Sequence, residues 1–411
     1  MNDSIARRQL LLSSVALAQS NAKAKKFAVV GAGVFGAWTA YHLRRLGHEV
    51  TLIDQYGPSN SRASSGGESR IIRARYGTDK LYTQSVLRSL KLWTEFFTRI
   101  ERPSLFHRTG VLWMTRQGDH RLGDHTRTLQ EFGVSVENLA ARDLRRRYPQ
   151  IAVEDDTVAL FEPNAGALMA RQAVQAVIAQ FLKDGGIYRQ DKILTPAGTG
   201  AIKEIRTAAG ERIAADAFLF ACGPWLQQVL PDLLGNRIFP TRQVIYFFGT
   251  PAGDRRFRPP LMPTWGDSSS DSPWYGLPDL ENRGFKVAYG WLGASFDPDT
   301  GIRQVTTDEI AEVRAFVTRR FPALAQAPLV ETRVCQYENT ANADFVIDRH
   351  PAHENIWFAG GGSGHGFKHG PAVGEYTAAR LIGLEQPAIE ARFSLASKAT
   401  ELKRRIMEGR K

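Results

Sequence analysis

Three glycines in six residues, Gly31-Ala-Gly33-Val-Phe-Gly36, precede an acid at Asp54. Residues of these types at this spacing hold a dinucleotide. Gly31 would make a tight turn, Gly33 would let the backbone approach a pyrophosphate, and Gly36 would let a helix pack closely on a strand. The helix N-terminus would face the phosphates, with Val34 and Phe35 of the turn beside the cofactor, and Asp54 would accept from ribose hydroxyls. Metal chemistry has no comparable basis. The nine histidines are scattered apart from His365 and His369, and zinc bound by that pair would lack further ligands. Two cysteines, Cys222 and Cys335, are too few for a disulfide framework.

Around the fingerprint, Lys26–Val30 reads as a buried strand, 37–46 as a helix stopped by Gly47, and 48–54 as a second strand ending in the acid. A lone glycine motif is weak; strand, turn, helix, strand and acid in register are specific. Residues 81–100 predict a helix with Leu87, Leu90, Trp93 and Phe97 on one face. Residues 167–183 predict an Ala-rich helix ending before Gly185-Gly186, and 214–221 a buried strand before the turn Cys222-Gly-Pro-Trp. Short β-like runs between 237 and 300, among them 243–248 and 285–289, suggest an antiparallel sheet. The strand 356–359 leads into a glycine-rich loop, 360–370, and a helix from about Pro371 to Leu384. No repeat of solenoid period is visible.

A chain of 411 residues exceeds the usual single core, so two associated domains are expected. The formal charge of +11 is concentrated at the ends: residues 1–26 and 398–411 each carry a net of +4, leaving +3 on the body. That distribution, without interleaved aromatic and basic residues, argues against nucleic-acid binding. No apolar run is long enough to span a bilayer, so an integral membrane protein is not expected. Residues 1–25 stand apart from the fold. Arg7-Arg8 before a short apolar stretch resembles a twin-arginine signal, which implies a periplasmic protein; a disordered extension or an amphipathic helix accounts for the same residues and leaves it cytoplasmic.

Three further stretches, Arg70-Ile-Ile-Arg73, Cys335-Gln-Tyr-Glu-Asn-Thr-Ala-Asn-Ala-Asp-Phe-Val-Ile-Asp348 and Ser363-Gly-His-Gly-Phe-Lys368, resemble the monomeric sarcosine oxidase family of the wider D-amino-acid-oxidase group. They occur in order from about residue 26 to 390. The resemblance implies an α/β (α+β) fold: a Rossmann-type FAD-binding domain from segments 26–80, 151–235 and 331–390, and an antiparallel-sheet catalytic domain from 81–150 and 236–330. Residues 391–411 would form a basic tail. It also implies a monomer that oxidises a small amino-acid-like amine and uses O2.

By the same resemblance, Cys335 would carry FAD through sulfur, although a free cysteine is otherwise a small buried hydrophobe. Lys368 and Arg73 would bind the substrate carboxylate, Arg73 as a bidentate guanidinium. Lys286 would contact the flavin through water and activate oxygen; an exposed strand lysine is the plain alternative. Tyr275 and Tyr337 would wall the substrate cavity. Flavin contacts are implied for Ser69, Arg70, Gly362, Gly364, His365, Gly366 and Lys368. Two positions depart from the family: Gly290 replaces a histidine and Thr78 a loop glutamate. A reshaped cavity follows, for which Trp274, Trp291 and Phe247 are available as lining or as core. The implied reaction is hydride transfer to flavin N5, imine hydrolysis and reduction of O2 to H2O2. An amine dehydrogenase with another electron acceptor is the rival reading. A nicotinamide dehydrogenase accounts for Gly31 to Asp54 and leaves the later stretches unexplained.

Overall fold

A computed structural model describes residues 23–270 and 272–402. The signal-like segment, apart from residues 23–25, and residues 403–411 of the basic tail lie outside them. Two sheets organise the chain. The first is a six-stranded sheet with spatial order Val346–Arg349, Ile356–Gly360, Ala217–Phe220, Lys26–Val30, Glu49–Asp54, Ile187–Gln190. Its last five strands are parallel and its first is an antiparallel edge. Both faces of a parallel sheet are covered, which is why Phe27, Ala28, Val29 and Val30 are all buried instead of alternating. The chain moves from Lys26–Val30 outward through Glu49–Asp54, then returns to the other side at Ala217–Phe220. That reversal makes a topological switch point, where open α/β sheets bind ligands.

The fingerprint helix Val34–Arg45 packs against Ala170–Lys183 and Gly370–Leu381. Lys80–Arg99 joins the same core, with Trp93 edge-on to Trp38 at 4.9 Å. These helices fall close to their sequence expectations, and the fingerprint helix starts earlier, at Val34.

The second sheet has eight strands in the order Leu329–Asn339, Phe239–Phe248, Phe285–Tyr289, Trp274–Leu277, Thr264–Asp267, Val111–Arg116, Thr157–Glu162, Glu137–Ala140. All neighbours are antiparallel except Thr264–Asp267 with Val111–Arg116. One face buries Trp265, Trp274 and Phe285 against Phe316 of the helix Thr307–Arg320 and Phe321 at its C-terminal end. The other face carries Cys335, Phe247, Ala288 and Tyr275.

Sheet membership cuts across the segments expected from sequence. Thr157–Glu162 and Leu329–Asn339 belong to the eight-stranded sheet, while Lys80–Arg99 packs beneath the six-stranded one. The expected tail also begins too early. Residues 391–398 are part of the fold, because Phe393 enters the main core and Arg392 pairs with Asp79 at 2.5 Å and Asp344 at 2.8 Å.

Candidate active site

A cavity of about 280 Å³ opens at the carboxyl ends of the parallel strands, lined by Gly31, Gly33, Val34, Phe35 and Asp54, and by Arg70, Tyr337, Gly362, Gly364 and Gly366. Gly31 has φ +107° and lies so close to the next strand that a Cβ would sit 2.3 Å from the Ala221 carbonyl oxygen. A Cβ on Gly36 would sit 1.9 Å from the Gly31 oxygen. The loop therefore closes only with glycine at both positions. At Gly33 an added Cβ would meet only Ser65 Oγ, at 3.5 Å, which leaves the open face a phosphate needs. Val34 N–H donates to Ser65 Oγ at 3.0 Å, so Ser65 shares the helix start. Asp54 is more occupied than expected. Its oxygens accept from Ala32, Tyr56 and Gly57 N–H at 2.8, 2.9 and 2.9 Å, so the acid builds the loop as well as facing the cavity.

Glu338 lines the same cavity. Its Oε1 accepts from Gly362 N–H at 3.3 Å, while Oε2 is buried without a partner. Burial pushes its carboxyl up to about 7, partly opposed by N–H donation from Gly362 and Gly361. The open Gly33 face, the Asp54 carboxyl and an orphaned acceptor fit a dinucleotide with free hydroxyls, as FAD has. Gly31, Gly33, Asp54 and Glu338 would hold it.

At the far end, Arg70 donates to Ser64 O at 2.6 Å and Ser69 O at 2.9 Å, with Nη2 3.5 Å from Cys335 Sγ. Cys335 lies on the site face of the eight-stranded sheet, 4% exposed. Lys286 is only 3% exposed, and its Nζ donates to Ser69 O at 2.8 Å. It is therefore no surface lysine: burial, then the Arg70 charge, push its pKa well below the lysine range. A hollow of about 10 Å³, room for one water, lies between Lys286, Ser69 and Phe247. Tyr275 and Tyr337 face each other, hydroxyl to hydroxyl, at 2.9 Å.

Arg73 and Lys368 meet around Tyr76. The Arg73 guanidinium stands 4.2 Å from the Tyr76 ring centre and the Lys368 ammonium 5.2 Å. Lys368 Nζ donates to His365 O at 2.9 Å, and burial, followed by the Arg73 charge, depresses its pKa strongly. Tyr76 itself is the centre of a directed chain. His365 Nε2 must donate to Ala343 O (2.9 Å), since a carbonyl only accepts, so its Nδ1 accepts from the Tyr76 hydroxyl (2.9 Å). The Tyr76 oxygen then accepts from His369 Nε2 (2.7 Å), and His369 Nδ1 accepts from Ser85 (2.9 Å). Burial, followed by the Lys368 charge, holds His369 well below its usual range, so its imidazole is neutral.

Sequence reasoning missed Glu338, Tyr76, His369, Ser65 and Arg75. Their signal was proximity to motif residues, and only His369, four residues after His365, has a spacing of its own. Trp274 is not pocket lining: it stacks on Phe316 at 4.8 Å on the opposite face, because its strand turns it away from Tyr275. Phe247 does lie on the site face.

Comparison with known proteins agrees with this architecture. A family model described as FAD dependent oxidoreductase matches residues 26–380. Monomeric sarcosine oxidase of Bacillus sp. (strain B-0618) is 32% identical over 84% of this chain and 89% of its own. N-methyl-L-tryptophan oxidase of Salmonella agona (strain SL483) is 30% identical over 86% of this chain and 94% of its own. The structure of fructosyl peptide oxidase from E. terrenum superposes with TM-score 0.80 at 20% identity, covering 92% of this chain and 93% of that one. No helix among the described residues is long and apolar enough to cross a membrane. The glycine loop at the switch point, the motifs that converge beyond it and the extent of these matches agree, and the chain belongs to the FAD dependent oxidoreductase family, as an enzyme acting on the C–N bond of amines.

Proposed function

We propose that this chain is an oxidase of a small secondary or N-methyl amino acid, with FAD attached through Cys335 and O2 as electron acceptor. The observation that carries the reading is the pair of cations, Arg73 and Lys368, gathered at the Tyr76 ring within electrostatic reach of each other. When bound, FAD supplies the two-electron acceptor for a hydride equivalent from the carbon beside nitrogen. The side chains do the rest. Arg73 offers a planar fork of donors and Lys368 a point charge, and together they hold a carboxylate. Tyr275 and Tyr337 wall the space beside it, so that the neutral amine is oriented with its C–H presented. The oxidised product, an imine, hydrolyses in water. O2 takes up two electrons and two protons and leaves as H2O2. Buried Lys286, in its ammonium form, stabilises the first anion formed from O2.

Cys335 Sγ lies 3.5 Å from the Arg70 guanidinium on the site face of the sheet, which supports attachment at this end of the cavity. The position of the neighbouring Tyr337 in the cavity wall supports the same placement of the ring end.

An aerobic screen tests the activity: N-methyl, cyclic and primary amino acids, each read for peroxide and, without oxygen, for flavin bleaching. Bleaching with peroxide is expected for at least one N-methyl or cyclic amino acid. Bleaching without peroxide would replace the oxidase by a dehydrogenase. No bleaching with any carboxylated amine would overturn the substrate class. Acid-precipitated protein should stay yellow; a colourless pellet from loaded protein would overturn attachment through Cys335.

A further inference from the structure

Arg75 is absorbed by neither the motifs nor the reaction above, yet it stands on the same platform as Arg73. The platform is Trp113. In the eight-stranded sheet Trp113 lies opposite Gly266, and Gly266 lies opposite Tyr275. Residues directly opposite across strands point to the same face, so Trp113 and Tyr275 share the site face, about 10 Å apart across two strand spacings. Gly266 contributes no side chain between them, and a Cβ there would lie 2.1 Å from the Trp113 ring. The indole therefore lies over Gly266 and forms the floor beside Tyr275.

Two guanidinium groups stand against that indole: Arg75 at 4.5 Å from the ring centre and Arg73 at 5.7 Å. Among the described residues neither forms an ion pair within 4.0 Å, although Glu162 acts on both through space. Two acids lie nearby. Glu162 Oε2 accepts from Ala74 N–H at 2.7 Å, while its buried Oε1 has no hydrogen-bond partner and its carboxyl lies in electrostatic reach of both Arg73 and Arg75. Asp119 is taken by Arg121 at 2.8 Å and Thr115 at 2.7 Å. Arg73 donates to the Arg75 carbonyl oxygen, whereas the Arg75 guanidinium has no hydrogen-bond acceptor among the described residues. His125, beside the pair, is pushed down to about 3 by burial and then by Arg75 and Arg73, so it is neutral and adds no charge.

We propose that Arg75 forms a second anion-binding position beside Arg73, and that the preferred substrate is an N-substituted amino acid carrying a second carboxylate. This rests on the reading of Arg73 as a carboxylate ligand. Three cations, Arg73, Arg75 and Lys368, share one nearby buried acid, Glu162, so a single substrate carboxylate still leaves one cation in surplus, and Arg75 is the one without a hydrogen-bond acceptor. Partly desolvated like charges are costly until an anion joins them. Consistent with that cost, burial and the neighbouring Arg73 push Arg75 down to about 10. Trp113 holds the guanidinium by its face, so the donor edges remain free to bind a carboxylate in the bidentate mode.

FAD-loaded enzyme tests this with two readouts. The first is kcat/KM for N-methylaspartate and N-methylglutamate against N-methylalanine and sarcosine. Wild type should favour a dicarboxylic substrate by about 10- to 100-fold, the value of one charge-assisted contact. Arg75→Gln should bring that ratio close to one, and Arg75→Lys should restore part of it. The second readout needs no turnover: flavin absorbance titrated with glutarate or succinate against butyrate. Wild type should bind the dicarboxylate more tightly, and Arg75→Gln should lose the difference. A wild-type preference for monocarboxylates in both readouts, or an Arg75→Gln variant with an unchanged ratio, overturns the second site. If no amino acid bleaches the flavin but the dicarboxylate preference in the titration persists and depends on Arg75, the second site stands and the oxidase reading fails.

Discussion

At the scale of single residues, the site is dominated by buried cations whose charge the protein disfavours. Lys286 is the sharpest case. Its ammonium has one carbonyl acceptor and a guanidinium neighbour, so it loses its proton well below the usual lysine range. If it stabilises the anion formed from O2, flavin reoxidation should slow as pH rises through that depressed pKa. Lys286→Met should slow reoxidation by about 10²–10³-fold, the loss typical of one preorganised electrostatic contact, and should flatten the pH dependence. Stopped-flow mixing of reduced enzyme with O2 measures both. Equal rates in variant and wild type would remove Lys286 from the oxygen step.

Glu338 titrates in the opposite sense. Its folded carboxyl is raised to about 7, above an unfolded value of about 4.3. Between these two values the unfolded chain releases the proton and the folded chain keeps it. The contribution to stability is thus full below about pH 4.3 and lost as pH rises through 7, on the order of 3 kcal/mol in all. Urea midpoints of FAD-free protein measured from pH 5 to 8 should fall for wild type and fall much less for Glu338→Gln. Parallel curves would show that Glu338 ionises freely in the fold.

At the scale of elements, the fingerprint loop is a steric construction before it is a binding site. The carbonyl of Gly31 occupies the place of a Gly36 side chain, and it is backbone, so it has no rotamer to escape through. Gly36→Ala should push the helix Val34–Arg45 away from its strand. FAD affinity should fall at least tenfold, because the phosphate-facing N–H groups move with the helix. Flavin fluorescence on mixing with FAD-free protein reports this directly, and unchanged affinity would mean that the loop yields without cost. The helix Thr307–Arg320, by contrast, was not drawn from sequence although its signal was present. Thr306 and Glu309 form a capping box, with each side chain bonded to the other's backbone N–H. What hid it was a weakly amphipathic face, since the half-buried charges Glu309, Glu312 and Arg314 and the buried Arg320 interrupt its apolar pattern.

At the scale of the whole molecule, the two sheets are joined through buried polar contacts as well as apolar ones, and the far face of the larger sheet depends on Arg320. That side chain is 1% exposed, bonded to Asp267 at 2.8 Å and Ser269 at 2.9 Å, and paired with Glu154 at 2.9 Å. Arg320→Ala would leave Asp267 buried without its partner charge, at a cost of about 3–5 kcal/mol. Thermal unfolding should show a drop of several degrees, with the flavin spectrum unchanged in the protein that remains folded, since Arg320 lies on the face away from the cavity. A normal melting temperature would mean that the fold does not depend on the Arg320–Asp267 contact.

What the sequence determined by itself was local. The glycine loop, the strands around it, the long helices and the strand Phe285–Tyr289 are written in periodicity, turn residues and spacing, which act over a few residues. The identities of Arg73, Lys286, Cys335 and Lys368 came from motifs, and the structure brings Lys286 and Cys335 to Arg70, and Lys368 and Arg73 to Tyr76. Tertiary structure alone decided which strands share a sheet, and so which side chains share a face. Trp274 and Tyr275 are neighbours in sequence, and the pleat sends one to the core and the other to the site. The same rule put Trp113 beside Tyr275 from 162 residues away, and with it Arg75. Charge placement is legible one residue at a time, but the burial that alters a pKa, and the absence of a partner that invites a ligand, arise only when distant strands close around a group.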